Sequence, residues 1–143
     1  MRNGQIANIK VIKPIAWGFG ISGANIQIRN HFVDAAPNNG TRDQTTSFPS
    51  NTDGFDLTGT NITLDGYYGY NGDDCVTVLS GGRDIVAKNG YCGFSSHGLS
   101  IGSLGEDGSE ASVANVLFQN WVMDNAVYAA RVSVGLLPIY SPC

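Results

Sequence analysis

The feature of this sequence that constrains the fold most is a short element that recurs along the chain. In each copy an Asn or Asp is followed by apolar residues at alternate positions, as in Asn25-Ile26-Gln27-Ile28 and Asn61-Ile62-Thr63-Leu64. The same element begins at Asn8, Asp84 and Asn115. The intervals are unequal, as expected when a fixed strand alternates with loops of variable length. No segment with helical length and period lies between the copies, so the pattern predicts strands stacked as parallel coils.

The predicted fold class is therefore all-β, and the predicted architecture is a right-handed, single-stranded parallel β-helix. Composition agrees, because the chain has 19 glycines and only 14% charged residues, against roughly 25% charged residues in ordinary domains. A β-sandwich with irregular hairpins remains an alternative, since the Asn-Gly and Gly-Gly dipeptides also mark hairpin turns. The 143 residues are enough for one domain.

Charge and hydrophobicity exclude some classes of partner. The net charge is −4, and no Lys/Arg cluster interleaves with aromatic residues, which argues against nucleic-acid binding. No stretch approaches the roughly 20 apolar residues of a membrane span, and residues 1–5 lack the apolar core of a secretion signal. Three cysteines and the glycosylation sequons at Asn39 and Asn61 nevertheless suit a secretory route. We therefore expect the natural N-terminus to lie upstream of Met1.

Several polar side chains could carry chemistry if the coils stack as predicted. They are Asp53, Asp56, Asp73, Asp74, His97 and Arg131. Neighbouring coils are about 4.8 Å apart, so residues separated by one coil stand side by side. Asp53, the pair Asp73-Asp74 and His97 follow one another at intervals close to one coil, and Arg131 follows after one coil plus a loop. The spacing predicts a ladder of these residues on one face.

Such a ladder would suit the cleavage of a glycosidic bond. Crowded carboxylates repel, so one of them keeps a proton near neutral pH while its neighbours stay ionised. A protonated acid beside ionised bases is the arrangement that glycoside hydrolysis requires, and the inverting reaction leaves space for a water between base and sugar.

Other interpretations of the same residues remain open. Asp73 and Asp74 follow Asn71-Gly72 and could be turn residues only. A calcium site is a further possibility, but the sequence lacks the regularly spaced acidic ligands of known calcium-binding loops. His97 alone could be a hydrogen-bonded structural histidine.

A second motif lies beside the histidine. Gly98-Leu99-Ser100-Ile101-Gly102 matches G-x-S-x-G, but this nucleophile motif needs a strand-to-helix turn. No amphipathic helix follows, which disfavours an acyl hydrolase. The glycines also lack the Lys-Ser/Thr of a phosphate-binding loop. Two histidines, His31 and His97, and no paired cysteine spacing give little support to a metal site.

The cysteine positions suggest one cross-link. Cys75 follows the Asp pair, and Cys92 precedes His97 by five residues, so the two would fall in neighbouring coils. They could form a disulfide that stabilises the chain by about 3 kcal/mol. Cys143 would be left over.

Taken together, the motifs resemble those of glycoside hydrolase family 28, the polygalacturonases and related pectinases. The matching segments are Asn51-Thr52-Asp53-Gly54-Phe55-Asp56, Gly72-Asp73-Asp74-Cys75, Ser96-His97-Gly98-Leu99-Ser100-Ile101-Gly102-Ser103-Leu104-Gly105 and Tyr128-Ala129-Ala130-Arg131. The likeness is to the fungal exo-acting members. It covers residues 1–131, the middle of a family chain normally more than twice as long, so we expect a partial β-helix domain over 1–131, truncated at both ends, and a non-family tail over 132–143.

The resemblance also implies functional roles. Asp73 would be the general acid, Asp53 and Asp74 would hold the attacking water, and His97 would tune the acid or contact the sugar. Arg131 would bind the substrate carboxylate. The substrate would be a pectic galacturonan, with no cofactor and no metal, and the protein would be extracellular and monomeric when complete.

This sequence departs from the family pattern at the last motif. The family has Arg-x-Lys where this chain has Arg131-Val132-Ser133, so one of two expected substrate cations is missing. A truncated β-helix without terminal caps also exposes strand edges and apolar core at both ends. We therefore expect weak activity or none from this chain. The alternatives are an inactive carbohydrate-binding chain or another pectinase, acting on xylogalacturonan or rhamnogalacturonan. A lyase is a further rival, but it would need a calcium site and an Arg or Lys base.

Overall fold

The chain folds into stacked coils whose neighbouring strands are all parallel. The computed structural model describes residues 1–37, 48–106 and 108–135. Within them the strands are β1 (Arg2–Ala7), β2 (Lys10–Ile12), β3 (Phe19–Asp34), β4 (Phe55–Tyr70), β5 (Asp74–Val78), β6 (Arg83–Cys92), β7 (Gly98–Leu104), β8 (Ala114–Met123) and β9 (Ala130–Val134). Each strand pairs with the strand one coil away. The predicted parallel β-helix is confirmed.

Strand pairing divides the coils into three faces. The first face holds the beginnings of β3 and β4 together with β5, β7 and β9. The second holds β1, the middle of β3 and β4, and the first parts of β6 and β8. The third holds β2 and the ends of β3, β4, β6 and β8. The strands β3 and β4, each 16 residues long, run through all three faces.

A column of Asn and Asp residues explains the sequence repeat. Asn3, Asn25, Asn61, Asp84 and Asn115 all have φ between 54° and 57°, a left-handed conformation that L-residues other than Asn and Asp rarely adopt. Their side chains bond along the column: Asn25 Nδ2 donates to Asn3 Oδ1 and Asn61 Nδ2 to Asn25 Oδ1, each at 2.8 Å. The recurring residue therefore turns the strand and joins the coils.

One member of the predicted repeat lies elsewhere. Asn8 belongs to a second column at the next corner, where Asn30 Nδ2 donates to Asn8 Oδ1 at 3.3 Å. The true first member is Asn3, whose neighbour Gly4 pairs with Ile26. Because Gly4 occupies the position that is apolar in the other coils, the repeat is hidden there.

The apolar residues after each turn form the core. Ile26, Ile28, Ile62, Leu64 and Ile85 are fully buried, and burial of such a side chain stabilises the fold by about 1.5–3 kcal/mol. Stacked aromatic rings extend this core under the first face, where Phe19 and Phe55 lie 4.5 Å apart between ring centroids.

A disulfide joins Cys75 and Cys92, whose Cα atoms are 6.1 Å apart. Cys75 lies in β5 and Cys92 ends β6, and both are fully buried. These strands belong to one coil, so the bridge crosses the interior of that coil. The expectation that it would join two neighbouring coils is wrong, because one coil here is longer than the interval between the cysteines.

The two sequons have different outcomes. Asn39 lies outside the described residues. Asn61 is in the first asparagine column, and its Nδ2 is already a hydrogen-bond donor to Asn25. Glycosylation of Asn61 stays a prediction. Among the described residues, no helix is long and apolar enough to cross a membrane.

Candidate active site

The predicted site residues lie mainly at the entrance to the strands of the first face. Asp53 precedes β4, Asp73 precedes β5 and His97 precedes β7. Backbone hydrogen bonds fix this register: Gly54 N–H donates to Asp74 O and His97 N–H donates to Asp73 O, both at 2.9 Å. The structure therefore places the Asp53, Asp73 and His97 positions on consecutive coils, as the spacing predicted.

Arg131 lies in a different column of the same face. It pairs with Ser100, which pairs with Thr77, which in turn pairs with Asp56. Arg131 is thus farther along its strand than the predicted ladder required. Its long side chain nevertheless returns to the carboxylates, with Nη2 3.2 Å from Asp74 Oδ2 and 3.3 Å from Asp74 Oδ1.

Asp73 is held by hydrogen bonds from three sides. Its Oδ1 lies 3.1 Å from His97 Nδ1 and accepts the Asp74 backbone N–H at 2.9 Å. Its Oδ2 accepts the Asn51 N–H at 3.2 Å. These contacts give the carboxyl group a fixed orientation next to an imidazole that can exchange protons with it.

Asp74 is buried and has two side-chain partners. Its Oδ1 accepts the Ser100 hydroxyl at 2.6 Å, in addition to the Arg131 contact. Burial raises the pKa of Asp74, while the Ser100 hydrogen bond and the Arg131 charge oppose that rise. The charge of Arg131 is therefore partly committed to Asp74.

Asp53 and Asp56 hold protons far more tightly than ordinary carboxyl groups. Burial, and then the negative charges of Asp73 and Asp56, raise the pKa of Asp53 to about 7. Burial, and then the charges of Asp74 and Asp73, raise the pKa of Asp56 to about 6. Asp53 Oδ1 is also buried without a hydrogen-bond partner among the described residues. The cluster as a whole thus retains protons at mildly acidic pH.

A groove of about 510 Å³ opens over these side chains. Its lining includes the four carboxylates Asp53, Asp56, Asp73 and Asp74, together with Arg131 and Trp17. His97 contacts this group through Asp73. A groove of this size with a few converging polar groups is the usual form of a ligand site.

The same residues make a poor cation site. Asp73, Asp74 and His97 offer ligand atoms within 4.8 Å of one another. The His97 Nδ1 already faces Asp73, however, and the Arg131 guanidinium contacts both oxygens of Asp74. A cation would have to displace Arg131, so these contacts favour a proton-transfer site.

The G-x-S-x-G segment is not a nucleophile turn. Ser100 lies inside β7, and its hydroxyl donates to Asp74. The His97 Nδ1 faces Asp73. Ser100 therefore lacks the strand-to-helix turn that this nucleophile motif requires. Its position is that of a support for Asp74.

Sequence reasoning did not assign three of the residues at the site. Asp56 was among the candidate residues but was given no role, because its place beside the groove depends on the register of β4. Ser100 was considered only as a nucleophile. Trp17 precedes β3 and lines the groove although 65% of it is exposed, and a lone aromatic residue in a loop gave no signal.

Comparisons with known proteins agree on one family. The profile of glycosyl hydrolases family 28 matches residues 1–134. The probable exopolygalacturonase C of Aspergillus flavus is 43% identical over 120 residues, which is 83% of this chain and 26% of that protein. The probable exopolygalacturonase C of Neosartorya fischeri is 41% identical over 128 residues, 89% of this chain and 28% of that protein.

A relative with a different name is also similar. The endopolygalacturonase B of Emericella nidulans is 36% identical over an alignment of 143 positions, covering 94% of this chain and 36% of that protein. The chain spans between about a quarter and a third of the length of these relatives.

Proposed function

Since the chain belongs to family 28 of the glycosyl hydrolases, we propose that it forms the catalytic centre of an exo-acting polygalacturonase. The reaction is hydrolysis of α-1,4-galacturonosidic bonds in pectin by an inverting acid/base mechanism. The observation that carries this proposal is the single groove that holds Asp53, Asp73, Asp74 and Arg131. This groove brings together carboxyl groups that can act as acid or base and a cation that can bind a galacturonate carboxylate.

The proposed mechanism divides the work among the carboxyl groups. Asp73 gives its proton to the glycosidic oxygen as the bond to the leaving sugar breaks. Asp53 and Asp74 orient a water on the opposite side of the ring and accept its proton as the water oxygen bonds to the anomeric carbon. The proton that the base accepted is then released to solvent and Asp73 takes one up, with His97 beside it, so that both groups are restored for the next cycle.

The electrostatics of the cluster support one proton shared among several groups. The negative charge of Asp73 is the second cause of the raised pKa of Asp53. With a proton on Asp73 that charge is absent, and Asp53 ionises more readily. Arg131 meanwhile favours the ionised form of Asp74. The carboxyl groups thus share protons at mildly acidic pH, and Asp53 acts as a base in those molecules in which the shared proton is on Asp73.

The substrate and the exo mode are supported by the relatives. The relatives from Aspergillus flavus and Neosartorya fischeri, which are 43% and 41% identical, are both named probable exopolygalacturonase C. Pectin is a polymer of the cell wall, so we propose that the protein acts outside the cell. The buried Cys75–Cys92 disulfide supports an oxidising compartment.

Product analysis tests this function. Polygalacturonate is incubated with the chain at pH 5, and the products are followed by NMR and by chain length. We expect monogalacturonate as the first product, with an inverted anomeric configuration. Oligomers as first products would contradict the exo mode, and a double-bonded product absorbing in the near ultraviolet would contradict hydrolysis.

A second candidate is a carbohydrate-binding chain without turnover. It is favoured by one observation, namely Ser133 in the place of the family lysine. Binding of oligogalacturonides without release of reducing ends, by a chain shown to be folded, would select this candidate.

A further inference from the structure

The acidic charge of the groove cannot account for the binding of an acidic polysaccharide. Four carboxylates line it, and Arg131 is the cation among the described residues that do so. Arg131 already contacts both oxygens of Asp74. A galacturonan also carries a carboxylate on every sugar, so charge attraction contributes little when both partners are acidic. An uncharged contact is needed.

Trp17 provides an apolar surface at the edge of the same groove. About 65% of the residue is exposed. A large part of its apolar ring surface is therefore accessible for a ligand to stack on. Its ring has few degrees of freedom, so fixing it against a ligand costs little conformational entropy.

The loop that carries Trp17 is hydrogen-bonded to the residues that directly precede β4. Gly18 N–H donates to Asp53 O at 2.7 Å, and Phe19 N–H donates to Gly54 O at 3.1 Å. A side chain at Gly18 would lie 2.9 Å from Asp53 O and 3.0 Å from Gly54 O, so glycine allows the loop to approach this closely. Trp17 is thereby held beside Asp53.

We propose that Trp17 is a stacking platform for one sugar ring of the substrate, on the Asp53 side of the bond that is cleaved. The proposal rests on the proposed function and adds a binding contact to it. The C–H bonds of one face of a pyranose ring carry small positive charges, and the π-face of an indole is negative. This contact requires no charge on the sugar, so it works between an acidic groove and an acidic polymer.

The position of Trp17 relative to Arg131 separates their roles. Trp17 lies two residues before the start of β3, whereas Arg131 lies in β9, four strand steps away on the first face. At about 4.8 Å for each step, the two backbones are roughly 19 Å apart along the stack, but the Arg131 guanidinium reaches back to Asp74 in β5. Asp53 and Asp56 belong to the coil between that of Trp17 and that of Asp74. Trp17 and Arg131 therefore contact sugars on opposite sides of the cleavage point.

The test compares charged and uncharged ligands. Binding of trigalacturonate and of its carboxyl-reduced counterpart is measured by calorimetry for the unsubstituted chain and for Trp17→Ala, Trp17→Phe and Arg131→Gln. Ile15→Ala is the matched control, because Ile15 lies in the same loop, is 95% exposed and does not line the groove. Thermal melts confirm that each variant is folded.

We expect Trp17→Ala to weaken the binding of both ligands by about tenfold. The loss should be the same at 0.05 M and 0.5 M salt, because salt does not screen stacking. Trp17→Phe should restore most of the affinity, and Ile15→Ala should change nothing. Arg131→Gln should weaken only the charged ligand, and that loss should shrink at high salt. The Trp17 fluorescence should change on binding, and the change should be missing in Trp17→Phe.

Two results would overturn the inference in distinguishable ways. Affinity that Trp17→Ala leaves unchanged, with normal binding by the unsubstituted chain, contradicts the stacking platform alone. Failure of the folded, unsubstituted chain to bind either ligand contradicts the proposed function and the platform with it.

Discussion

Arg131 pairs with Ser100 in the sheet, yet its guanidinium Nη2 lies 3.2 Å from Asp74 Oδ2. The arginine side chain thus returns to the carboxylate cluster from a coil beyond it. The contact opposes the effect of burial on the pKa of Asp74. Arg131 has therefore a structural role toward Asp74 in addition to its proposed role toward the substrate.

The first prediction concerns this pair. In Arg131→Gln the pKa of Asp74 rises further, because burial is no longer opposed by a positive charge. The folded form then binds more protons than the unfolded form at mildly acidic pH, so stability falls as pH rises. We expect the melting temperature of Arg131→Gln to drop more between pH 5 and pH 8 than that of the unsubstituted chain. Arg131→Lys, which keeps the charge, should recover part of the difference. If the melting temperatures of all three chains changed in parallel with pH, the coupling between Arg131 and the protonation of Asp74 would be contradicted.

The second prediction concerns Asp53. An unfolded Asp ionises near pH 4, whereas folded Asp53 has a pKa of about 7. Between these values the folded state holds the extra proton, so its stabilising effect is complete below about pH 4 and is lost as pH rises through 7. Asp53→Asn removes this titration. The melting temperature of the variant should therefore fall less between pH 5 and pH 8 than that of the unsubstituted chain, by about 8 °C.

Asp84→Asn is the control for this measurement. Asp84 is exposed and lies in the asparagine column, where the other members already are Asn. We expect it to leave the pH dependence unchanged. Equal behaviour of the Asp53 and Asp84 variants would show that the raised pKa of Asp53 does not affect stability.

The third prediction concerns the missing lysine. Ser133 is two residues after Arg131 in β9, so both side chains project from the same side of the strand. Ser133→Lys should supply a second cation to the substrate and lower the KM for polygalacturonate by about threefold to fivefold at low salt. Val132→Lys adds the same charge on the opposite side and serves as the control. Equal gains in both variants would indicate unspecific attraction to the polymer.

The fourth prediction concerns the asparagine column. Asn61 has a φ of 55° and donates its Nδ2 to Asn25. Asn61→Ala loses the hydrogen bond and is strained in this conformation, so we expect a loss of about 1–3 kcal/mol in urea unfolding. Asn61→Gly loses the bond but tolerates the φ, so it should be less destabilised than Asn61→Ala. The reverse order would show that the backbone conformation is not limiting.

The sequence predicted the fold because its signals are local. Asn25, Asn61, Asp84 and Asn115 mark the same corner in four coils, since few other residues accept the left-handed conformation there. Apolar residues follow each of them into the core. One missing signal, at Asn3-Gly4, was enough to shift the first coil in the prediction.

Parts of the site that depend on loops could not be predicted. Asp53, Asp73 and His97 come together because the coils between them are of nearly constant length. Arg131 follows two further loops, so its column could not be read from spacing. The raised pKa of Asp56 depends on burial, and the exposure of Trp17 depends on how its loop is anchored. Neither the burial of Asp56 nor the exposure of Trp17 can be predicted from the spacing of residues in the sequence.

The measurement that tests the central claim most directly is release of reducing sugar from polygalacturonate at mildly acidic pH, by the unsubstituted chain and by Asp73→Asn. Asp84→Asn is assayed beside them as the control for the same chemical change. The account predicts weak but measurable release by the unsubstituted chain and by Asp84→Asn, and a loss of at least a hundredfold in Asp73→Asn, because proton transfer by a positioned acid contributes about that much or more. Equal release by all three folded chains would contradict the claim that this carboxylate cluster cleaves the glycosidic bond.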